Sequence, residues 1–226
     1  MVKLSKRMKT ATKTLGDPKT YSLQDAIAQL SNLPKVKFDE TVELHFHLNI
    51  DLKKNDHAIR GTVILPHGTG KKVRIAVFAK GAQAQKAEEL KADYVGAEEL
   101  ISKVADGFLD FDCIIATPDI MRELSKLGKI LGPRGLMPSP KAGTVTMDIE
   151  RAIKEVKAGK IEFKADKQAG IHVGIGKRSF SSDQLYANAK FVIDAISQAK
   201  PASVKGDLVK NLSLATTMGL GMRIAL

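Results

Sequence analysis

The sequence has 226 residues, 43% of them hydrophobic and 27% charged, which is typical of a globular protein with one or two domains. A single cysteine, Cys113, excludes an intrachain disulfide and a zinc site built from cysteines, and no apolar run reaches the roughly 20 residues that a membrane span needs. The net charge of +11 predicts an anionic partner: nucleic acid, a membrane surface or a phosphorylated metabolite.

The positive charge is concentrated at the two ends of the chain. Residues 1–66 carry a net charge of +4 and residues 160–226 carry +5, whereas residues 67–159 carry only +2. This distribution predicts that both ends face the anion together and that the middle is a separate unit; the alternative is a surface of scattered, solvated lysines. The basic residues 1–14 have no bulky apolar face and no apolar region after them, so we expect a cytoplasmic protein with neither a secretory signal nor a membrane-surface helix.

The first end of the chain predicts one helix and two strands. Residues 22–32 are amphipathic, and Ser22 can cap the start of this helix. Residues 41–50 alternate between apolar and polar side chains, which indicates a strand with one face in the core and the other in water. Residues 61–66, which end in a proline, predict a second strand.

The middle of the chain alternates between strands and helices. Strands are predicted over residues 71–79, 92–95 and 111–117, and helices over residues 83–90, 97–105, 118–126 and 150–157. This order is typical of α/β layering around a mostly parallel sheet.

The second end of the chain returns to strand alternation. Strands are predicted over residues 160–166, 170–177 and 207–218, with one helix over residues 182–199. Neither end has enough strands to close a core alone. We therefore predict two domains of α/β and α+β class: residues 1–67 plus 160–226 form a split α+β sandwich of about four strands and two helices, and residues 68–159 form an inserted α/β domain.

The glycine-rich segments do not match the known phosphate-binding patterns. The pattern GxxxxGK[ST] fails because Leu65 or Ile171 stands where its first glycine belongs, and GxGxxG fails because Val73 or Ser179 takes the place of its third glycine. An enzyme that binds a nucleotide in the inserted domain therefore stays a poorly supported alternative. We expect no enzyme and no cofactor.

The histidines and the cysteine also suggest structural roles. His45 and His47 share one face of a predicted strand, but no third metal ligand follows at a sensible spacing, so exposed strand histidines are expected rather than a metal site. His172 is expected on the wet face of another strand, where RNA can reach it. Cys113 lies within an apolar strand and is expected to be buried.

Two segments favour contact with RNA. Residues 127–143 are rich in glycine and proline and carry three cations and no acid, which suits phosphate oxygens; the alternative is a plain surface connection. Residues 214–219 combine two threonine hydroxyls, a methionine and a glycine, and residues 36–41 are expected beside them in the sheet. Lys37 would add a cation and Phe38 a stacking surface. This mixture predicts a protein that reads the shape of folded RNA; the alternative is a core phenylalanine beside a strand end.

Several long motifs together resemble one known family. The motifs are VKFDETVE (36–43), RGTVILPHGTGK (60–71), ATPD (116–119), GPRGLMP (132–138), PKAGTV (140–145), KAGKIEF (157–163) and TTMG (216–219). Their combination, which spans about residues 5–224, resembles the bacterial large-subunit ribosomal protein L1 family, the proteins of the mobile ribosomal stalk beside the exit site. The resemblance implies a first domain built from both chain ends and a second, Rossmann-like domain inserted into it.

The resemblance also implies a function. Members of the family are structural constituents of the 50S ribosomal subunit and bind a folded region of large-subunit ribosomal RNA, chiefly through the first domain. Their stalk moves during translocation and helps to release exit-site tRNA, and bacterial members repress translation of their own operon mRNA. The expected partners are therefore the stalk ribosomal RNA, exit-site tRNA and the operon mRNA, on a cytoplasmic ribosome and without a membrane, a metal or a cofactor.

The motifs carry RNA-binding residues over to this chain. The principal candidates stand on VKFDET and TTMG: Lys37, Phe38, Thr41, Thr217, Met218 and Gly219. The stretch 160–172 adds Lys164, Lys167 and His172. Asn211 stands six residues before Thr217, where family members have a serine, and its amide can still form hydrogen bonds. Arg134 in the GPRG loop is a candidate for a secondary RNA contact.

Overall fold

The computed structural model describes residues 4–16, 19–50, 59–201, 204 and 206–225. The chain has a mixed α/β fold, and its contacts divide it into a first unit, Met1–Gly70 with Ile161–Leu226, and a second unit, Lys71–Lys160. These boundaries differ by three residues and by one residue from the domain limits expected from the sequence. No helix in the described part of the chain is long and apolar enough to cross a membrane.

The strands and helices alternate along most of the chain. The strands are β1 (Thr20–Tyr21), β2 (Thr41–Leu48), β3 (Arg60–Ile64), β4 (Ile75–Phe78), β5 (Tyr94–Gly96), β6 (Cys113–Ala116), β7 (Lys160–Lys164), β8 (Gly170–Lys177), β9 (Val209–Thr216) and β10 (Met222–Ile224). The helices are α1 (Lys6–Leu15), α2 (Leu23–Asn32), α3 (Ala82–Glu89), α4 (Glu98–Ala105), α5 (Met121–Leu124), α6 (Gly128–Leu131), α7 (Ile149–Lys157) and α8 (Ser182–Gln198). Most elements begin and end within four residues of the bounds expected from the sequence.

The first unit contains a five-stranded sheet in the order β1-β10-β9-β2-β8. The long strands β9, β2 and β8 are antiparallel neighbours, and β1 pairs with β10 in parallel. Strands β3 and β7 form a separate pair, so the expectation of one sheet of about four strands is wrong. Alternation shows which face of a strand is buried, but it does not show which strand lies beside it. Strands β1 and β10, of two and three residues, are too short for alternation to identify them in the sequence.

One face of this sheet is covered and the other is open. The apolar positions of β2, such as Leu44 and Phe46, point into a core that α2 and α8 cover with Ile27, Leu30 and Val192, among others. Both helices start at serine caps, and the cap of α8 is a complete capping box. The polar residues that alternate with this core therefore form the open face of the sheet.

Helix α1 precedes this sheet and was not expected from the sequence. Its side chains are mostly basic or small, so few apolar residues mark it as a helix that packs on a core, and only Ala11 is fully buried. The hydroxyl of Ser5 accepts a hydrogen bond from the Met8 amide and caps the first turn. Residues 1–3 lie outside the described part of the chain.

The second unit has a parallel three-stranded sheet in the order β5-β4-β6. One face packs against α4, α5 and α6, with Phe78 and Leu124 in the contact, and the other packs against α3 and α7, with Val77 and Ile153 in the contact. A parallel sheet covered on both faces explains why its strands are apolar without alternation. Cys113 is half-buried rather than buried as expected, because it is the first residue of the outer strand β6.

The single helix expected over residues 118–126 is a series of short helices. A 3₁₀ turn at Pro118–Ile120 leads into α5, and another at Ser125–Leu127 leads into α6. The Ser125 hydroxyl donates a hydrogen bond to the Met121 carbonyl at 2.7 Å. Such a bond competes with the regular helical bond and bends the helix.

Candidate functional site

The beginning of β2 and the end of β9 lie side by side and bring two of the sequence-predicted segments together. Val42 pairs with Thr216 across the two strands. One residue further out, the Thr217 amide donates to the Thr41 carbonyl at 3.0 Å, and the Thr41 amide donates to the Thr217 hydroxyl at 3.0 Å. The expected neighbourhood of segments 36–41 and 214–219 is confirmed. The Thr217 hydroxyl, expected to be available to RNA, already has a partner within the protein.

A tight turn follows β9 and presents Met218. The Gly219 amide donates to the Thr216 carbonyl at 2.9 Å, which closes the turn. A Cβ atom on Gly219 would lie 2.2 Å from the Thr216 hydroxyl, so only glycine fits this position without a shift. The strand expected over residues 207–218 would include Met218. The strand instead ends at Thr216, and the Met218 side chain is 50% exposed.

The facing loop presents Lys37 and Phe38. Both are exposed, and Phe38 keeps 54% of its surface accessible, so the alternative of a core phenylalanine is wrong. The Asp39 carboxylate anchors the loop because it accepts hydrogen bonds from the Ser179 amide at 3.2 Å and from the Ser179 hydroxyl at 2.7 Å. An exposed aromatic ring and an exposed thioether thus stand on the two segments that Thr41 and Thr217 hold together. We call residues 37–41 and 217–219 the paired loops.

A buried carboxylate lies beneath the paired loops. Glu40 is 1% exposed, and its Oε1 accepts hydrogen bonds from the Thr216 hydroxyl and from the Met218 amide, both at 3.1 Å. Its Oε2 pairs with Arg178 Nη1 at 2.7 Å. One side chain of the first loop therefore fixes the backbone of the second loop, since a charged acceptor makes strong hydrogen bonds in a buried setting.

Arg178 extends this network to the end of α2. Its Nη2 donates to the carbonyls of Leu30 (2.7 Å) and Leu33, and its Nη1 donates to the Pro34 carbonyl at 3.2 Å. The Arg178 amide also donates to the Glu40 carbonyl at 2.8 Å. The carbonyls of Leu30, Leu33 and Pro34 lie in or just after the last turn of α2, where carbonyl groups lack hydrogen-bond donors within the helix. The guanidinium thus ties the helix end to the loop that follows it.

Sequence reasoning missed Glu40 and Arg178. A signal existed for Glu40, because it stands two residues before Val42 and four before Leu44, which are buried. In an extended chain these three side chains point to the same face, so the alternation predicts that Glu40 points inward. No such signal existed for Arg178, which follows the last residue of β8. Two further cations escaped notice: Lys177 donates to the Thr41 hydroxyl at 3.0 Å, and Arg7 donates to the Met218 carbonyl at 2.7 Å.

His172 and Asn211 lie on the open face of the sheet, as their alternation predicts. His172 Nδ1 lies 2.8 Å from His45 Nδ1 across β8 and β2, so at least one of the two imidazoles is neutral when they share this hydrogen bond. Burial, followed by the charge of His172, lowers the pKa of His45, and Glu43 acts in the opposite direction. Asn211 accepts a hydrogen bond from Arg223 at 2.6 Å and sits on β9 six residues before Thr217, which is about 20 Å along an extended strand.

The remaining candidates are exposed but are not part of the paired loops. Lys164 lies at the end of β7, in the other sheet of the first unit, and Lys167 lies in the turn between β7 and β8. Arg134 lies in the second unit, exposed in the connection after α6. Within the described residues, no group of three or more histidine, cysteine, aspartate or glutamate side chains could hold a metal ion.

Comparison with known proteins agrees with the motif resemblance. The family model described as the ribosomal protein L1p/L10e family matches residues 29–220. The large ribosomal subunit protein uL1 of Protochlamydia amoebophila (strain UWE25) is 52% identical over 222 residues, which cover 98% of this chain and 94% of that protein. Proteins of this family are structural components of the ribosome and not enzymes. The chain belongs to the ribosomal protein L1p/L10e family.

Proposed function

We propose that this protein is a structural constituent of the large ribosomal subunit, in the cytoplasm, and that its first unit binds ribosomal RNA of the stalk region. The family membership supports the ribosomal role. The observation that carries the RNA-binding proposal is the pair of loops held together by Glu40 and by the reciprocal bonds between Thr41 and Thr217.

The paired loops suit a folded RNA because they combine three kinds of contact on a fixed frame. Phe38 and Met218 offer exposed apolar surface against which a base or ribose can pack. Lys37 and Lys177 offer cations to phosphates, and the turn at Gly219 presents partly exposed backbone to a ribose. The frame is formed before binding, so the protein selects an RNA of matching shape and loses little conformational entropy when the RNA binds.

The open sheet face extends the proposed interface. His172 and Asn211 lie on this face, and Lys164 and Lys167 are exposed on neighbouring segments of the first unit. Their polar groups would contact backbone and 2′-hydroxyl groups rather than base edges. We assign them a supporting role because they do not belong to the paired loops.

We further propose that residues 71–160 form the Rossmann-like domain inserted into a split RNA-binding α+β sandwich. The parallel sheet with helices on both faces supports this assignment. Arg134 would make a secondary RNA contact. The release of exit-site tRNA and the repression of the operon mRNA rest on the family resemblance, and the second role requires an mRNA that reproduces the backbone shape of the ribosomal site.

A salt titration tests the proposed RNA binding. Binding of the full chain is measured against a fragment of the stalk ribosomal RNA and against a folded RNA of equal length. We expect tighter binding to the stalk fragment that persists at moderate salt, because shape-specific contacts add to the phosphate attraction. Equal binding to both RNAs that disappears with salt would refute the proposal and leave only the attraction of the +11 charge.

A further inference from the structure

Helix α1 carries a line of lysines beside the proposed interface. Lys6, Lys9 and Lys13 are all exposed, and no acidic residue lies in the helix. At 3.6 residues per turn, the three positions fall within about 60° of one another on the helix surface. Ala11, which is buried, lies on the opposite side and seats the helix on the core of the first unit.

The helix is attached directly to the paired loops. Arg7 Nη2 donates to the Met218 carbonyl at 2.7 Å, so the first turn of α1 stands beside the turn that presents Met218. At the other end of α1, the Tyr21 hydroxyl donates to the Leu15 carbonyl at 3.2 Å, and Tyr21 belongs to β1 at the edge of the sheet. The position of α1 is therefore set at both ends by the unit that carries the proposed site.

We propose that α1 is a further part of the RNA interface and that Lys6, Lys9 and Lys13 bind successive phosphates of the RNA that occupies the paired loops. The inference rests on the proposed function. Two observations favour RNA over a membrane surface: α1 turns its apolar side toward the protein core, and Arg7 in its first turn contacts the paired loops, the proposed RNA site. Lysine contacts to phosphates strengthen binding without reading sequence or shape.

The test uses the full chain with all three lysines changed: Lys6→Gln, Lys9→Gln and Lys13→Gln. A matched control changes three exposed helical lysines elsewhere, Lys86→Gln, Lys103→Gln and Lys190→Gln, so that the net charge falls equally. The quantity measured is the slope of the logarithm of the binding constant against the logarithm of the salt concentration, for binding to the stalk RNA fragment. We expect the magnitude of this slope to fall by about two to three for the α1 variant, since each phosphate contact contributes about 0.7 to 0.9. We expect the same loss with a folded control RNA, an unchanged slope for the matched control, and unchanged melting temperatures.

The outcomes separate this inference from the proposed function. A wild-type protein that binds both RNAs equally refutes the proposed function. A wild-type protein that prefers the stalk fragment, together with an α1 variant whose salt dependence is unchanged, overturns the inference alone. The inference is also overturned if the α1 variant keeps its RNA affinity but loses binding to vesicles containing phosphatidylglycerol, since α1 would then be a membrane-binding helix.

Discussion

Glu40 and Arg178 form an ion pair at 2.7 Å in which the carboxylate side chain is 1% exposed and the guanidinium side chain is 9% exposed. Both charged groups are largely desolvated, and their remaining hydrogen bonds go to backbone atoms and to the Thr216 hydroxyl. Such a pair is expensive to break from one side, because the other charge is left buried without its partner. Its placement between α2 and the paired loops makes it the fixed point of the candidate site.

Removal of the Glu40 charge should destabilise the first unit. We expect Glu40→Gln to cost about 3–5 kcal/mol, the usual cost of leaving one member of a buried pair uncompensated. The measurement is urea denaturation, with the transition of the first unit followed separately from that of the second. Glu43→Gln on the same strand is the control, because Glu43 is partly exposed, and it should leave the transition nearly unchanged. Equal midpoints for both variants would contradict the anchoring role of Glu40.

The turn after β9 should tolerate a methyl group at one glycine and not at another. Gly219→Ala places a Cβ atom 2.2 Å from the Thr216 hydroxyl, which must then move away from Glu40, whereas a Cβ atom on Gly221 meets nothing within 4 Å. We expect Gly219→Ala to lose about 1–3 kcal/mol of stability, the range for a buried polar group left unpaired. Binding of the stalk RNA fragment should weaken as well, and Gly221→Ala should change neither quantity. Thermal unfolding and a binding titration on both variants provide the comparison.

The Thr217 hydroxyl should matter for both folding and binding. Thr217→Val removes the hydroxyl that accepts a hydrogen bond from the Thr41 amide. We expect this change to cost about 1 kcal/mol of stability, the usual net contribution of one hydrogen bond. The paired loops then lose one of the two reciprocal bonds between Thr41 and Thr217, and specific RNA binding should weaken by about 1–3 kcal/mol. Thr217→Ser keeps the hydroxyl and should retain most of both. Unaltered RNA affinity of Thr217→Val would remove Thr217 from the site.

The stability of the first unit should fall in mildly acidic solution. The folded-state pKa of His45 lies below its ordinary value of 6.5, mainly because of burial and then because of His172. Between the lowered pKa and 6.5 the unfolded chain binds more protons than the folded one, so stability rises with pH through this window and is lost as the pH falls through it. We expect His172→Gln to reduce this dependence, measured as urea midpoints between pH 7.5 and 5. His47→Gln, on the same strand, is the control. An unchanged pH profile in His172→Gln would exclude coupling between the two rings.

The sequence contains enough information for the segments of this fold but not for all of their neighbours. Strict alternation in residues 41–48 and 170–177 predicts β2 and β8 closely, because burial of one face imposes a period of two. The pairing of β3 with β7 depends on tertiary contacts, such as the close approach of Gly61 to the ring of Phe163, that leave no periodic trace. Helix α1 was not predicted for a related reason, since Ala11 is its one fully buried side chain and most of its other side chains are basic or polar.

The candidate site, like the fold, can be predicted from the sequence only in part. The residue types of Phe38, Met218 and Gly219 indicate an RNA contact surface, and the motif resemblance carries them over to this chain. The residues that hold this surface in shape, Glu40 and Arg178, lie 138 positions apart, so their pairing becomes visible only after folding. Local pattern can identify what a surface offers to a ligand, whereas the rigidity of that surface arises from long-range pairing.

The strand order of the first unit has a consequence for the newly made protein. Strand β9 lies between β2 and β10, so the central strand of the sheet is synthesised long after its neighbour β2. Residues 71–160 are complete and can begin to fold while β2 still lacks one neighbour, since domains fold as units during synthesis. A nascent chain therefore cannot assemble the paired loops until residues 217–219 have emerged, long after residues 37–41. A product truncated before β9 lacks both the central strand of the sheet and one of the two paired loops.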